Sequence, residues 1–377
     1  MEFSCQKEDL AKAVQIVEKA VGTKSTLPII GNILIETTVN GIKLASNNLE
    51  IGIEVIIPAT ILSAGKILAP AKTLGSIVSK LPDAEVNIEI FDNQVIKINC
   101  GQSKFNIHGL AADEFLMLNK VTDGENITIN AMHFKEMIRQ VIFSVSLDES
   151  KHILNGVYFQ FGYNPEQKEK FRMVSTDGYR LALKEGEIEQ AVTNPINFVI
   201  PTKALNEVAS IIQTNEEDNM VLNFSSDQVA FTYKNNYLVT RIIQGQFPDF
   251  NQVIPKSSLT KLLINRKNFL EAAERCSIIA SSSANIIKLE LSNNKLLITA
   301  RTPDVGEFSE LIDVDMSGDS ETQISFNVRL LIDVLKIVSD EKVSLNFSGT
   351  LNPGVIKPEG KESYLYVIMP IRTTDNR

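Results

Sequence analysis

The side chains able to do chemistry are sparse in this chain, and their spacing argues against an enzyme. His108, His133 and His152 show no metal-ligand spacing, and no paired-acid motif accompanies them. There is no GxSxG nucleophile elbow. The nearest approach to a phosphate loop, GVIKPEGK at 354–361, has the wrong spacing and is followed by Glu362 where Ser or Thr would hold a metal. A catalytic reading would have to start from Asp177, Tyr179 and Arg180 in STDGYR at 175–180. What the chain does repeat is positive charge at a fixed place. Lys72, Lys203 and Arg329 each stand two positions before the apolar face of a helical pattern.

Those patterns are the elements that must position the charges. In IPTKALNEVASIIQ (200–213), Leu205, Val208, Ala209 and Ile212 fall on one helical face, with Thr202 as the expected N-cap. APAKTLGSIVSKLP (69–82) places Leu74, Ile77, Val78 and Leu81 in the same register, and FNVRLLIDVLKIVS (326–339) places Leu331, Val334, Leu335 and Val338. Leu74, Leu205 and Leu331 are 131 and 126 residues apart. A second pattern also occurs three times: Leu10, Ala13, Val14 and Val17; Phe134, Met137, Ile138 and Val141; Phe269, Ala272, Ala273 and Cys276. Its steps are 124 and 135 residues. Two helices in the same order, three times over, argue for a triplicated domain of roughly 125 residues. The competing reading is three unrelated α+β domains with similar helix spacing.

Composition agrees with a soluble globular chain. Of 377 residues, 44% are apolar and 22% charged, enough for real cores in two or three domains. No stretch reaches the length of a membrane span, and MEFSCQKEDL does not read as a signal peptide. Cys5, Cys100 and Cys276 are odd in number and lack CxxC spacing, so buried free thiols in a reducing cytoplasm are expected. A net charge of −9 excludes a uniformly basic nucleic-acid binder, but not a basic surface confined to one face. The basic signal along the helices is itself mixed. Lys12, Lys80, Lys135, Arg139, Lys267, Arg275 and Lys336 share them with Glu8, Glu136, Glu207, Glu271 and Asp333.

Between the helices the pattern is of short strands. Ile33 and Ile35 alternate, Asn40-Gly41 signals a hairpin, and Ile42, Leu44, Ile51, Ile53 and Val55 continue the alternation. VTDGE at 121–125 reads as a linker and the polar tail 373–377 is expected to fray. Each repeat amounts to about two helices and eight strands. Strands without helical crossovers must pair antiparallel, with helices on one face.

Four strings, in order, carry a resemblance: TLPIIGNILIE at 26–36, STDGYRLA at 175–182, FPDFNQVIP at 247–255 and YLYVIMPIR at 364–372. Together with the triplicated layout, they resemble the β subunit of bacterial DNA polymerase III, the sliding-clamp family, along the whole chain. The resemblance implies an α+β fold of three clamp domains at 1–121, 126–253 and 254–377. It implies a head-to-tail dimeric ring with helices lining a hole around duplex DNA and antiparallel sheets outside. It implies no catalysis, cofactor or metal, a cytoplasmic setting and no membrane partner. Its partners would be double-stranded DNA, a second copy, the polymerase III α subunit, the clamp loader complex, and other replication and repair proteins carrying clamp-binding motifs.

Site residues follow from the same resemblance. A partner-peptide pocket would be lined by Leu154, Thr176, Gly178, Tyr179, Arg180, Leu181, Pro248, Val253, Val367, Met369, Pro370, Ile371 and Arg372. DNA would meet Lys24, Lys72, Lys151, Lys203 and Arg329. The dimer interface would join Lys104 and Ile107 to Ile278, Ile279, Glu307 and Glu310. Tyr179 stands where many members carry His, and Gln252 replaces a common basic residue; both bear on peptide preference. The alternative function is a monomeric peptide-binding scaffold that never encircles DNA.

Overall fold

The computed structural model describes residues 1–22, 28–116, 120–121, 125–213, 218–318 and 321–373. Lys24, most of the 121–125 linker and the tail beyond Thr373 lie outside them. Six α-helices are described: α1 Lys7–Val17, α2 Ala71–Lys80, α3 Ala131–Ile142, α4 Thr202–Ile211, α5 Arg266–Ala280 and α6 Val328–Ile337. They fall where the apolar periodicity predicts. In α1, α2, α3, α5 and α6 the expected stripes are buried, from Leu10–Val17 through Phe269–Cys276 to Leu331–Leu335.

The α4 expectation needs correcting. Its buried face is Ala204, Leu205, Val208 and Ile211, while Ala209 is half-exposed and Ile212, though buried, follows the helix. Thr202 is the first helical residue rather than the cap. Its hydroxyl donates to the Asn155 carbonyl at 2.5 Å, because strand Ile196–Pro201 pairs with Gly156–Phe161 and brings Asn155 alongside. Asparagine caps two other helices: Asn265 accepts from the Asn268 amide and Asn327 from that of Arg329.

The described residues group into two compact units. The first comprises Met1–Lys135, Ile188–Gln190 and Lys203–Ile242. It holds a five-stranded sheet ordered Thr60–Ser63, Glu2–Gln6, Glu85–Ile90, Val95–Cys100, Ser103–His108. It also holds an eight-stranded sheet in which Asn236–Arg241 of the second repeat pairs with Ile51–Ile57 of the first. The predicted hairpin turns one residue early, at Val39 and Asn40. Gly41 then sits at φ +129, where a Cβ would meet the Ile57 carbonyl oxygen at 2.1 Å.

The second unit comprises Glu136–Glu187, Ala191–Thr202 and Ile243–Arg377. Its twelve-stranded sheet joins the second repeat to the third through Arg180–Glu187 and Tyr364–Ile368. Among the described residues the strands pair antiparallel in both units, from Glu2–Gln6 with Glu85–Ile90 to Gly354–Pro358 with Tyr364–Ile368. The repeats are thus tied by shared sheets. α6 is anchored at its C-terminal carbonyls, the negative end of the helix dipole. Arg266 Nη1 donates to the Leu335 carbonyl at 3.0 Å, and Arg139 Nη2 to that of Ile337 at 2.8 Å.

All three cysteines are buried and free. Burial pushes the Cys5 and Cys276 thiols up to about 12, with nearby acids adding to it. An aromatic disulfide reagent at pH 8 is therefore expected to react with almost none of the thiols in the folded chain and with all three in denaturant. One fast-reacting thiol in the folded chain would contradict that burial.

Candidate partner pocket and charged helix ends

The pocket begins at a turn. Strand Arg180–Glu187 runs between Lys170–Thr176 and Tyr364–Ile368, so the chain must reverse between Thr176 and Arg180. Asp177 makes that reversal an Asx turn: Oδ1 accepts from the Tyr179 amide at 2.8 Å and the Arg180 amide at 3.0 Å. The Thr176 hydroxyl accepts from the Gly178 amide and donates to the Arg180 carbonyl. Gly178 takes φ +95, which a side chain would strain.

Beside this turn lies a small cavity of about 160 Å³. Leu181 and Val367, opposite each other across the strand pair, form its floor and belong to a buried cluster with Val174 and Leu183. Leu154, Thr176, Gly178, Arg180 and Met369 line it further. The remaining wall is Pro248, Asp249, Phe250 and Val253. That wall is a short 3-10 turn capped by Asp249, whose carboxyl is held below its usual range by hydrogen bonds from Asn251 and Gln252. Behind it, Tyr158 stacks on Phe247 at 4.9 Å. The Arg172 guanidinium lies 4.7 Å from the Phe250 ring and 4.3 Å from that of Tyr163.

Four expected pocket residues do not line the cavity. Tyr179 is 66% exposed and is not among the lining residues. Pro370, Ile371 and Arg372 are absent from its wall because the strand stops at Ile368. Met369 still bonds the Tyr179 carbonyl, but the Ile371 amide donates to Ser325. Conversely, Asp249 and Phe250 line the cavity without having been expected there. The signal was present in FPDF, where two aromatics flank a proline and an acid that can cap a turn.

The structure also sorts the mixed charges. Lys12 pairs with Glu8, Arg139 with Glu136, Lys267 with Glu271, Arg275 with Glu310 and Lys336 with Glu274. Lys135 donates to the Ile212 carbonyl. Lys72, Lys203 and Arg329, each the second residue of its helix, are exposed and without an ion pair among the described residues. Lys151 is placed differently. Its ammonium donates to the Asp177 carbonyl and lies 5.6 Å from the Tyr179 ring centroid, beside the pocket turn.

Comparison with known proteins agrees in all three repeats. Residues 1–119, 128–249 and 251–372 match the N-terminal, central and C-terminal domains of the DNA polymerase III beta subunit. The chain belongs to that family. The beta sliding clamp of Bacillus subtilis is 33% identical over 383 residues, covering 99% of this chain and all of the relative. The solved sliding clamp of Bacillus subtilis superposes with a TM-score of 0.93 at 31% identity, covering 99% of each chain. The Thermotoga maritima β subunit gives 0.91 at 28% identity, over 99% of this chain and 100% of that one. This clamp is accordingly a non-catalytic processivity subunit that works on DNA.

Both halves of the expected clamp interface are exposed sheet and helix ends. Ser103–His108 is the edge strand of the five-stranded sheet, with Lys104 exposed and Ile107 half-buried. Phe105, not anticipated from the sequence, is also exposed and shares a groove with Lys72, Ile77 and Lys80. On the other side, Ile278 and the half-buried Ile279 lie near the end of α5. In strand Gly306–Gly318, residues 306–313 pair only with Lys295–Thr302, which leaves their second edge open among the described residues. Glu307 is exposed there, whereas Glu310 is held by Arg275 at 2.6 Å.

Proposed function

We propose that two copies of this clamp close head to tail around duplex DNA in the cytoplasm and tether the polymerase α subunit, the clamp loader and repair proteins through the pocket. The observation that carries the DNA side is the uncompensated cation at one helical position in all three repeats. A cation in a helix's first turn opposes the helix dipole, so Lys72, Lys203 and Arg329 do nothing for the helices that hold them. They suit an external anion, and the positive end of a helix dipole favours phosphate as well. No base-reading motif accompanies them, which fits contact with the backbone alone. On the partner side, an apolar floor with Met369 at its mouth suits varied apolar side chains.

The test is topological. The loaded clamp should stay on nicked circular DNA and be lost when the circle is linearised. Equal retention on both forms would reject encirclement. Reversing charge at Lys72, Lys203 and Arg329 together should weaken DNA association. Its salt slope should fall by up to ~0.9 for each phosphate no longer neutralised. The mass in solution should stay unchanged. An unaltered salt slope would make these three side chains solvated surface charges.

A further inference from the structure

Arg180 lines the pocket, yet its charged end is held elsewhere. Nε donates to Asp177 Oδ2 at 3.0 Å, within the turn, and Nη1 to Asp333 Oδ2 at 2.5 Å, on α6. The guanidinium also lies 5.5 Å from the Phe143 ring centroid. Asp333 touches nothing in the cavity. It sits on a helix that Arg139 and Arg266 grip at one end and that the Tyr366 hydroxyl grips at the Leu330 carbonyl, at 2.8 Å. Tyr366 is on the strand that also carries the floor residue Val367. The strand, the turn and the helix are therefore locked together around one guanidinium.

We propose that Asp333 is a positioning residue for the partner pocket: it holds the Arg180 head against α6 and so keeps the cavity open and apolar. The physical reason is the length and charge of Arg180. Asp177 is a local partner, three residues away, and the Tyr366 side chain bonds the head from the neighbouring strand, but neither lies on α6. Asp333 fixes the other edge to a second element, and a planar fork held at two places cannot turn into the cavity. Released from Asp333, the head would compete with an incoming apolar side chain for a cavity whose lining is mostly apolar. This inference rests on the pocket reading above.

The measurement is the affinity of the full-length chain for a fluorescein-labelled peptide from the polymerase α subunit, by anisotropy, alongside thermal unfolding. Asp333→Asn is expected to weaken binding about fivefold, in the range seen for coupled neighbours. Asp333→Glu should recover most of that loss. In an Arg180→Met background, which removes the charged head, Asp333→Asn should cause no further loss. Parental affinity in a folded Asp333→Asn chain would overturn the proposal, and so would an equal loss in the Arg180→Met background. Met369→Ala separates the two levels: undiminished binding there overturns the pocket reading and this inference with it. A loss there with none from Asp333→Asn overturns the inference alone.

Discussion

Combining Met369→Ala with Leu181→Ala is expected to lower the affinity for a polymerase α-subunit peptide at least tenfold, about 1.4 kcal/mol. The two side chains differ in what else they do. Met369 is 36% exposed at the cavity mouth, just past the end of its strand, so truncating it removes contact with a partner and little packing. Leu181 is only 2% exposed and packs with Val174, Leu183 and Val367. Its truncation leaves a hole under the floor and should destabilise the second unit by about 2–5 kcal/mol. Met369→Ala alone should therefore weaken the peptide with the melting temperature unmoved, while Leu181→Ala should lower both. Retention on circular DNA should survive in the folded double variant, because none of the free basic helix ends is touched. Unaltered peptide binding in that variant would mean that neither side chain meets the peptide and that the site lies elsewhere.

What the sequence made legible, and what it hid, divides along a physical line. A helix packed on a sheet must bury one stripe, so five of the six faces could be read from apolar spacing alone, while α4 buries Ala204 and Ile211 where Ala209 and Ile212 were expected. Strand alternation names a buried face but not a neighbour. The pairing of Ile51–Ile57 with Asn236–Arg241, and of Arg180–Glu187 with Tyr364–Ile368, therefore had no local signature. The pocket depends on that second pairing, and only resemblance to a family could assemble its three distant segments. Resemblance by string also drew in chain neighbours such as Pro370 and Arg372, which leave the cavity once the strand ends, and missed Phe250, which a capped turn carries into it. Charge was the least legible. Lysines and arginines look alike in a sequence, and only the fold shows that Arg275 is spent on Glu310 while Arg329 is free.

The interface gives the second large effect. Replacing Ile278 by Lys and Ile279 by Ala should convert a dimer of twice 41.8 kDa into folded monomers. Ile278 is 69% exposed within one chain, so a lysine there costs the monomer little. At the proposed junction the same change puts a charge opposite the strand that carries Lys104, Phe105 and Ile107. Removing two anchors of about 2 kcal/mol each would raise the dissociation constant roughly a thousandfold. The open edges of Ser103–His108 and of residues 306–313 supply backbone donors and acceptors that a second chain can pair with. Of the acids, Glu307 rather than Glu310 is free to meet Lys104, since Glu310 is already paired. Light scattering at sub-micromolar concentration is the check, with retention on circular DNA as the functional readout. Both should be lost together, and peptide binding should persist, because neither Ile278 nor Ile279 lines the pocket. A variant that remains dimeric would place the interface elsewhere. A parent chain that is already monomeric would favour the peptide-binding scaffold over the ring.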